Sequence, residues 1–290
     1  MPGRRKKTLQ LASEIEARGF SGSYCPSIGD GLALCEALAL STQQIVFGTS
    51  ITPIYHRHVE DYAQTVGLIH ELAEGRFRFG IGVAHALSLQ ARGLRGGRPL
   101  QDVREFVTAL HEVPRVGDMP PIILAALRPK MIALAAEIGQ GLVFANAARS
   151  HVEQSLKAVP AAQRNNADFY IGNMIPAWVD SNLDKARAVN RKTLSSYAVL
   201  PNYRNYWRDA GYGEEMDQVE HCLNNNNKAG IAACLSDRWL DDTTLAGPVE
   251  RIRDELQRWF DCGIRTPILV PSSAAGNQMK AFEEMFAAFA

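Results

Sequence analysis

Three histidines stand where the chain is expected to leave a strand or run through a loop: His56, His58 and His85. An imidazole titrates near neutrality, so each is a candidate to give or take a proton in a reaction at neutral pH. The run His56-Arg57-His58 also raises the question of a metal. Residues two apart do not share a helix face, and no metal site is expected there. The second chemical feature is "GRFRFGIG", residues 75–82, in which Gly80 and Gly82 alternate at the carboxyl end of a strand. Glycine permits unusual dihedral angles and close approach of another group, so either a bend or an intruding group is expected. The five cysteines, Cys25, Cys35, Cys222, Cys234 and Cys262, are odd in number, scattered and without a CxxC pair. They indicate neither a zinc ribbon nor a disulfide framework, and free thiols are expected.

The elements that must position these residues alternate from end to end. Strands are expected near 21–25, 45–51, 77–82, 121–127, 141–146, 169–179 and 266–272. Between them "TLQLASEIEARGF", "GLALCEALALST", "HVEDYAQTVGLIHELAEG", "LQDVREFVTALHEV", "RPKMIALAAEIG" and "SHVEQSLKAV" read as helices. Gly19 and Gly75 stop two of them, Pro129 opens another, and Asn182 is placed to cap the helix that follows it. After Pro201 the rhythm breaks into a polar, aromatic stretch with short helices, and "PVERIRDELQRWFDCG" restores it. Repeated β-α alternation implies parallel strands joined by helical crossovers. An eight-stranded TIM-type barrel needs one strand more than the seven found. The chain opens on a helix, and "MPGR" reads as the loop after a strand, so the first strand of the barrel is expected to be missing from these residues. A doubly wound open sheet is the alternative.

Composition narrows the function classes. Lys+Arg and Asp+Glu each total 31, so no basic excess points to nucleic acid or an anionic membrane. No apolar run is long enough to span a bilayer, and the amino-terminal stretch has no signal-peptide core. A soluble, cytoplasmic protein is expected, with a small-molecule substrate and without nucleic-acid or membrane partners.

Several segments in order resemble the bacterial-luciferase-like monooxygenase superfamily, especially its branch that uses the deazaflavin coenzyme F420. They are "GTSITP" (48–53), "LAEGRFRFGIG" (72–82), "PKMIALAAEIGQGLVF" (129–144), "DKARAVNRKTLSSYAVLPNY" (184–203) and "LAGPVERIRDELQRWFDCGIRTPILVP" (245–271). The resemblance implies one barrel domain over 1–290, with an insertion at about 202–242 and the cofactor at the carboxyl ends of the strands. It implies a cis peptide at Ser50–Ile51, with Thr49, Ser50, Ile51, Gly80 and Gly82 near the ring and Ser88 close by. It implies a phosphate site at Leu127 and Arg128, with Asn146 as neighbour; Arg128 stands where relatives carry glycines. His56, His58 and His85 become the proton-handling candidates beside a hydride-transferring cofactor.

The departures are also informative. Relatives of the F420 branch often carry an acid or an Asp-His pair after the second strand, where this chain has Cys25, Pro26 and Ser27, with Asp30 further on. Relatives often have His-Pro at His58-Val59, and Asn at Ser88. Three functions therefore stand open. The first is an F420-dependent oxidoreductase passing hydride to or from a small organic substrate. The second is an FMN-dependent monooxygenase supplied by a separate reductase, and the third is a non-catalytic paralogue. A homodimer is expected. The aromatic "NYRNYWRDAGY" is expected either to wall the substrate entrance or to pack a subunit interface.

Overall fold

The computed structural model describes residues 5–273 and 278–289, so the tetrapeptide "MPGR", read above as a loop, lies outside them. Among the described residues nine strands are present: β1 (Gly22–Cys25), β2 (Val46–Thr49), β3 (Thr52–Pro53), β4 (Phe77–Gly82), β5 (Ile122–Ala125), β6 (Gly141–Ala145), β7 (Tyr170–Val179), β8 (Leu245–Gly247) and β9 (Thr266–Pro271). Seven of them are the expected seven. The two additions are short: β3 is two residues and β8 three, too brief for an apolar pattern to announce them. The strand pairings described below are all parallel, and the molecule is an α/β fold on parallel strands.

The chain divides into two compact units. The first holds the chain as far as Ala126, with Lys130–Val143 and Val159–Tyr170. In it β1 pairs with β2, β2 and β3 both pair with β4, β4 with β5, and β5 with β6. The interruption between β2 and β3 falls at Ser50–Ile51, whose peptide bond is cis, as the resemblance implied. The core is aromatic along β4: Phe77 and Phe79 are fully buried, with Phe47 of β2 beside them. Helix Val59–Leu72 lays its apolar face on this sheet through Tyr62, Val66 and Ile69, and the Tyr62 ring meets Phe79 and Phe106. Helix Arg5–Ala17 is tied down by Glu16, whose carboxylate accepts the backbone N–H groups of Gln43, Gln44 and Ile45 just before β2.

The second unit holds Leu127–Pro129, Phe144–Ala158 and the chain from Ile171 on. There β7 pairs with β8 at Ala177–Val179 and with β9 along Gly172–Ala177. Asn182 caps helix Leu183–Ala198 as expected, its side chain accepting Lys185 N at 3.0 Å. The aromatic stretch lines neither an entrance nor an exposed interface. Tyr203, Tyr206, Trp207 and Tyr212 are all buried, and the Trp207 and Trp239 rings meet edge-on at 4.7 Å. The reason is helical: within Pro201–Asp209, positions 203, 206 and 207 share one face, and that face is the core of the unit.

Candidate functional site

The site in the first unit is built around the carboxyl ends of β2 and β4. Thr49 Oγ1 donates to the Gly80 carbonyl at 2.7 Å, and Ser50 N donates to the Cys25 carbonyl at 2.8 Å. These bonds link β1, β2 and β4 around the Ser50–Ile51 peptide. A Cβ on Gly80 would lie 1.8 Å from the Thr49 carbonyl oxygen, so only glycine lets the two backbones approach. A Cβ on Gly82 would lie 2.8 Å from Ala125 Cβ and 3.2 Å from Ile51 Cδ1. Neither glycine has a positive φ. The alternating glycines therefore serve close approach rather than a bend, and the group that approaches Gly80 is the protein's own backbone.

Beside this platform lies a cleft of about 250 Å3 bounded by Asp30, Ile51, Pro53, His56, Arg57 and Arg92. Tyr62, from helix Val59–Leu72, fixes the β3 end of it by donating its hydroxyl to the Pro53 carbonyl at 2.6 Å; burial pushes this phenol up to about 12. Asp30 caps helix Gly31–Ser41 through one oxygen, which accepts Ala33 N, and takes Arg57 Nη2 on the other at 2.5 Å. Ser50 Oγ, in the platform, and His56 Nε2, on the cleft, are buried without a hydrogen-bond partner. Burial first, and then the charge of Arg92, hold the His56 pKa below the usual imidazole value, so this ring is neutral at pH 7.

The three candidate histidines separate clearly. Only His56 borders the cleft. His58 is exposed and caps helix Val59–Leu72, its Nδ1 accepting Glu60 N at 3.4 Å. Its place in the sequence is explained by helix initiation. His85 is half-buried, its pKa lowered by burial, and its carbonyl accepts Ser88 N at the start of helix Ala86–Gln90. Ser88 itself is exposed on that helix.

The phosphate candidates lie in the second unit. Arg128 is half-exposed and reaches Asp209 at 3.5 Å, while Leu127 beside it is partly buried. Asn146 is buried, with φ at 55°, and its carbonyl accepts Trp207 Nε1 at 3.1 Å. The left-handed backbone there suits asparagine better than most residues.

Sequence reasoning missed Arg57, Tyr62 and Arg92 as cleft residues, and treated Asp30 only as a displaced acid. Asp30 carried a readable signal, an acid directly before the apolar helix "GLALCEALALS", which is an N-cap pattern. Arg92 carried none, because the fold alone brings it to His56. All five cysteines are free, with Cys25 and Cys35 buried 3.8 Å apart, Sγ to Sγ. Among the described residues no helix is long and apolar enough to cross a membrane.

Parallel strands with a ligand-sized cleft at their carboxyl ends define a class of α/β proteins that bind small molecules there. Within that class the model of the luciferase-like monooxygenases matches residues 2–266, and the chain belongs to that family. It is 24% identical over 275 residues to the 5,10-methylenetetrahydromethanopterin reductase of Archaeoglobus fulgidus, covering 85% of this chain and 82% of the relative. It is 26% identical to the reductase of the same name from Methanolobus tindarius, covering 96% of this chain and 93% of that one. Among solved structures, the coenzyme F420-dependent tetrahydromethanopterin reductase of Methanopyrus kandleri superposes with a TM-score of 0.75 at 16% identity, covering 97% of this chain and 94% of that chain. The FMN complex of the oxygenating constituent of 3,6-diketocamphane monooxygenase from Pseudomonas putida gives 0.68 at 14% identity, covering 100% and 92%. These relatives and neighbours are oxidoreductases and monooxygenases.

Proposed function

We propose that this protein is an oxidoreductase that passes hydride between coenzyme F420 and a small organic substrate. The observation that carries the reading is the pair of buried, unpartnered polar atoms, Ser50 Oγ and His56 Nε2, beside the Thr49–Gly80 platform. Buried polar groups are ordinarily paired, so each of these calls for a bound partner. Ser50 Oγ fits a deazaflavin, whose ring has an apolar face for Ile51 and donors and acceptors along its rim, and His56 Nε2 fits the substrate group that exchanges a proton. The F420-dependent relatives support the same choice.

The deazaflavin, when bound, supplies the hydride chemistry. The chain's own residues hold and shield. Thr49 locks the β2 end to β4, Ile51 and Pro53 would give the bound deazaflavin apolar contact, and Ser50 Oγ would hydrogen-bond it. His56 Nε2, neutral at pH 7, accepts or returns the proton that accompanies the hydride. His85 is kept as the second proton-handling candidate; His58, as an exposed cap, is not. Arg128 and Asn146, with Leu127, are the proposed phosphate contacts, the 3.5 Å approach of Asp209 leaving most of the Arg128 donors free.

We read the chain as one luciferase-like domain of the TIM-barrel type, with an insertion at about 202–242. It is proposed to act in the cytoplasm. The second reading, an FMN monooxygenase with a separate reductase, is favoured by the likeness to the FMN-bound diketocamphane enzyme.

Titration of the purified protein with F420 and with FMN, followed by absorption, tests the assignment. F420 should bind more tightly, and Arg128→Ala should weaken it by about 1.5–3 kcal/mol, the worth of a hydrogen bond to a charged group. Preference for FMN transfers the function to the second reading. Failure of both to bind removes the cofactor site.

A further inference from the structure

We infer that the cleft selects a substrate bearing a carboxylate, held by Arg92. This rests on the oxidoreductase reading for the word substrate, while the binding site itself stands on its own geometry. The charged groups bordering the cleft are Asp30, Arg57 and Arg92. Asp30 and Arg57 are committed to each other at 2.5 Å, and the second oxygen of Asp30 is committed to the helix cap at Ala33. Their charges cancel. Arg92 forms no ion pair within 4.0 Å and no side-chain hydrogen bond among the described residues. The cleft thus keeps one uncompensated positive charge, close enough to His56 to act on its ring.

One free guanidinium matches one negative charge. A carboxylate meets it through two parallel N–H···O bonds, whereas a phosphate dianion would leave a charge unmatched in a cleft whose histidine is neutral. The cleft volume of about 250 Å3 suits a compact acid rather than a large polyanion. With the carboxylate on Arg92, the unpartnered His56 Nε2 is the group left for a second polar function on the same molecule, the carbonyl or hydroxyl whose carbon exchanges hydride. The substrate class is therefore a small oxo or hydroxy acid. Arg57 serves by position: tied to Asp30, it keeps that acid from occupying Arg92 or repelling the incoming carboxylate.

Ligand-observed NMR on the intact chain without cofactor tests this directly. The probes are 4-methyl-2-oxopentanoate, the neutral 4-methyl-2-pentanone and inorganic phosphate, each with wild type, Arg92→Gln, Arg92→Lys and the remote control Arg18→Gln. The oxo acid should bind wild type and the control alike, lose roughly tenfold or more in Arg92→Gln, and recover most of that in Arg92→Lys. The ketone should bind weakly and equally to all four. Equal binding of acid and ketone by wild type, an unchanged acid affinity in Arg92→Gln, stronger binding of phosphate than of the acid, or no binding of the acid would each overturn the proposal. A parallel F420 titration separates the two readings. F420 affinity should be the same in wild type and Arg92→Gln, and its loss in the variant would assign Arg92 to the acidic tail of the cofactor instead. Acid binding that depends on Arg92, in a protein that binds no F420, would leave the anion site standing and remove only the cofactor.

Discussion

At Gly80 a single added methyl would sit 1.8 Å from the Thr49 carbonyl oxygen, and backbone cannot give way as a side-chain tip does. At Gly82 the nearest obstacle is Ala125 Cβ at 2.8 Å, a side-chain atom on β5. Gly80→Ala is therefore expected to cost more than Gly82→Ala, with overpacking of this kind worth about 1–3 kcal/mol or more. Urea unfolding of the two variants checks the order, and equal midpoints would refute the close-approach argument. The histidines make a second prediction at this scale. Burial holds His56, His70 and His85 below the usual imidazole value in the folded protein. As pH falls below about 6.5 the unfolded rings take protons that the folded ones resist, so stability is full above that value and declines toward the lowered folded values. Thermal melts should show Tm falling from about pH 7 to about pH 5, less steeply in His85→Gln; parallel curves for the two proteins would rule out a contribution from His85.

Among the elements, two carboxylates do much of the tying. Glu16 gathers three backbone donors at 2.6–3.0 Å and so fastens helix Arg5–Ala17 to the entry of β2. Glu16→Ala strands those donors and should cost about 1–3 kcal/mol in equilibrium unfolding, with no loss of helix content in the folded state. In the second unit the buried Asp242 accepts Ser150 N at 2.9 Å, Ser150 Oγ at 2.6 Å and the Tyr212 hydroxyl at 2.8 Å. It thus joins helix Asp237–Thr243 to helix Arg149–Leu156 and to the turn before helix Gly213–Asn224. Asp242→Ala leaves several buried donors unpaired, and a loss of roughly 2–4 kcal/mol is expected. A variant within experimental error of wild type would show that these helices are braced elsewhere, for instance by the Trp207–Trp239 contact.

For the whole molecule the expectation is association. Among the described residues β1 pairs with β2 alone, so no strand lies beside its other edge. Such an edge favours pairing with another chain. Light scattering should give about twice the 31.9 kDa of one chain. A monodisperse monomer at micromolar concentration would mean that the edge is protected within the chain itself.

Seven strands, the helices between them, the cap at Asn182 and the cis Ser50–Ile51 peptide were legible in the sequence. The reason is that each is written in a contiguous run: apolar blocks bounded by glycine and proline, a capping residue, or a short motif shared with a family. β3 and β8 were not, because two or three residues carry no periodicity. The aromatics near Trp207 are expected from the sequence at a substrate entrance or a subunit interface, and only packing shows that the face carrying them is turned inward. The cleft was the least legible part. Asp30, Arg57, His56 and Arg92 are spread over more than sixty positions, and their partnership is a matter of distance in space. Sequence determined which local elements form and which family they serve. The tertiary structure decided that His56 rather than His58 borders the cleft, and that Arg92 is left as its unpaired charge, because burial and ion pairing depend on neighbours that the chain brings together only when folded.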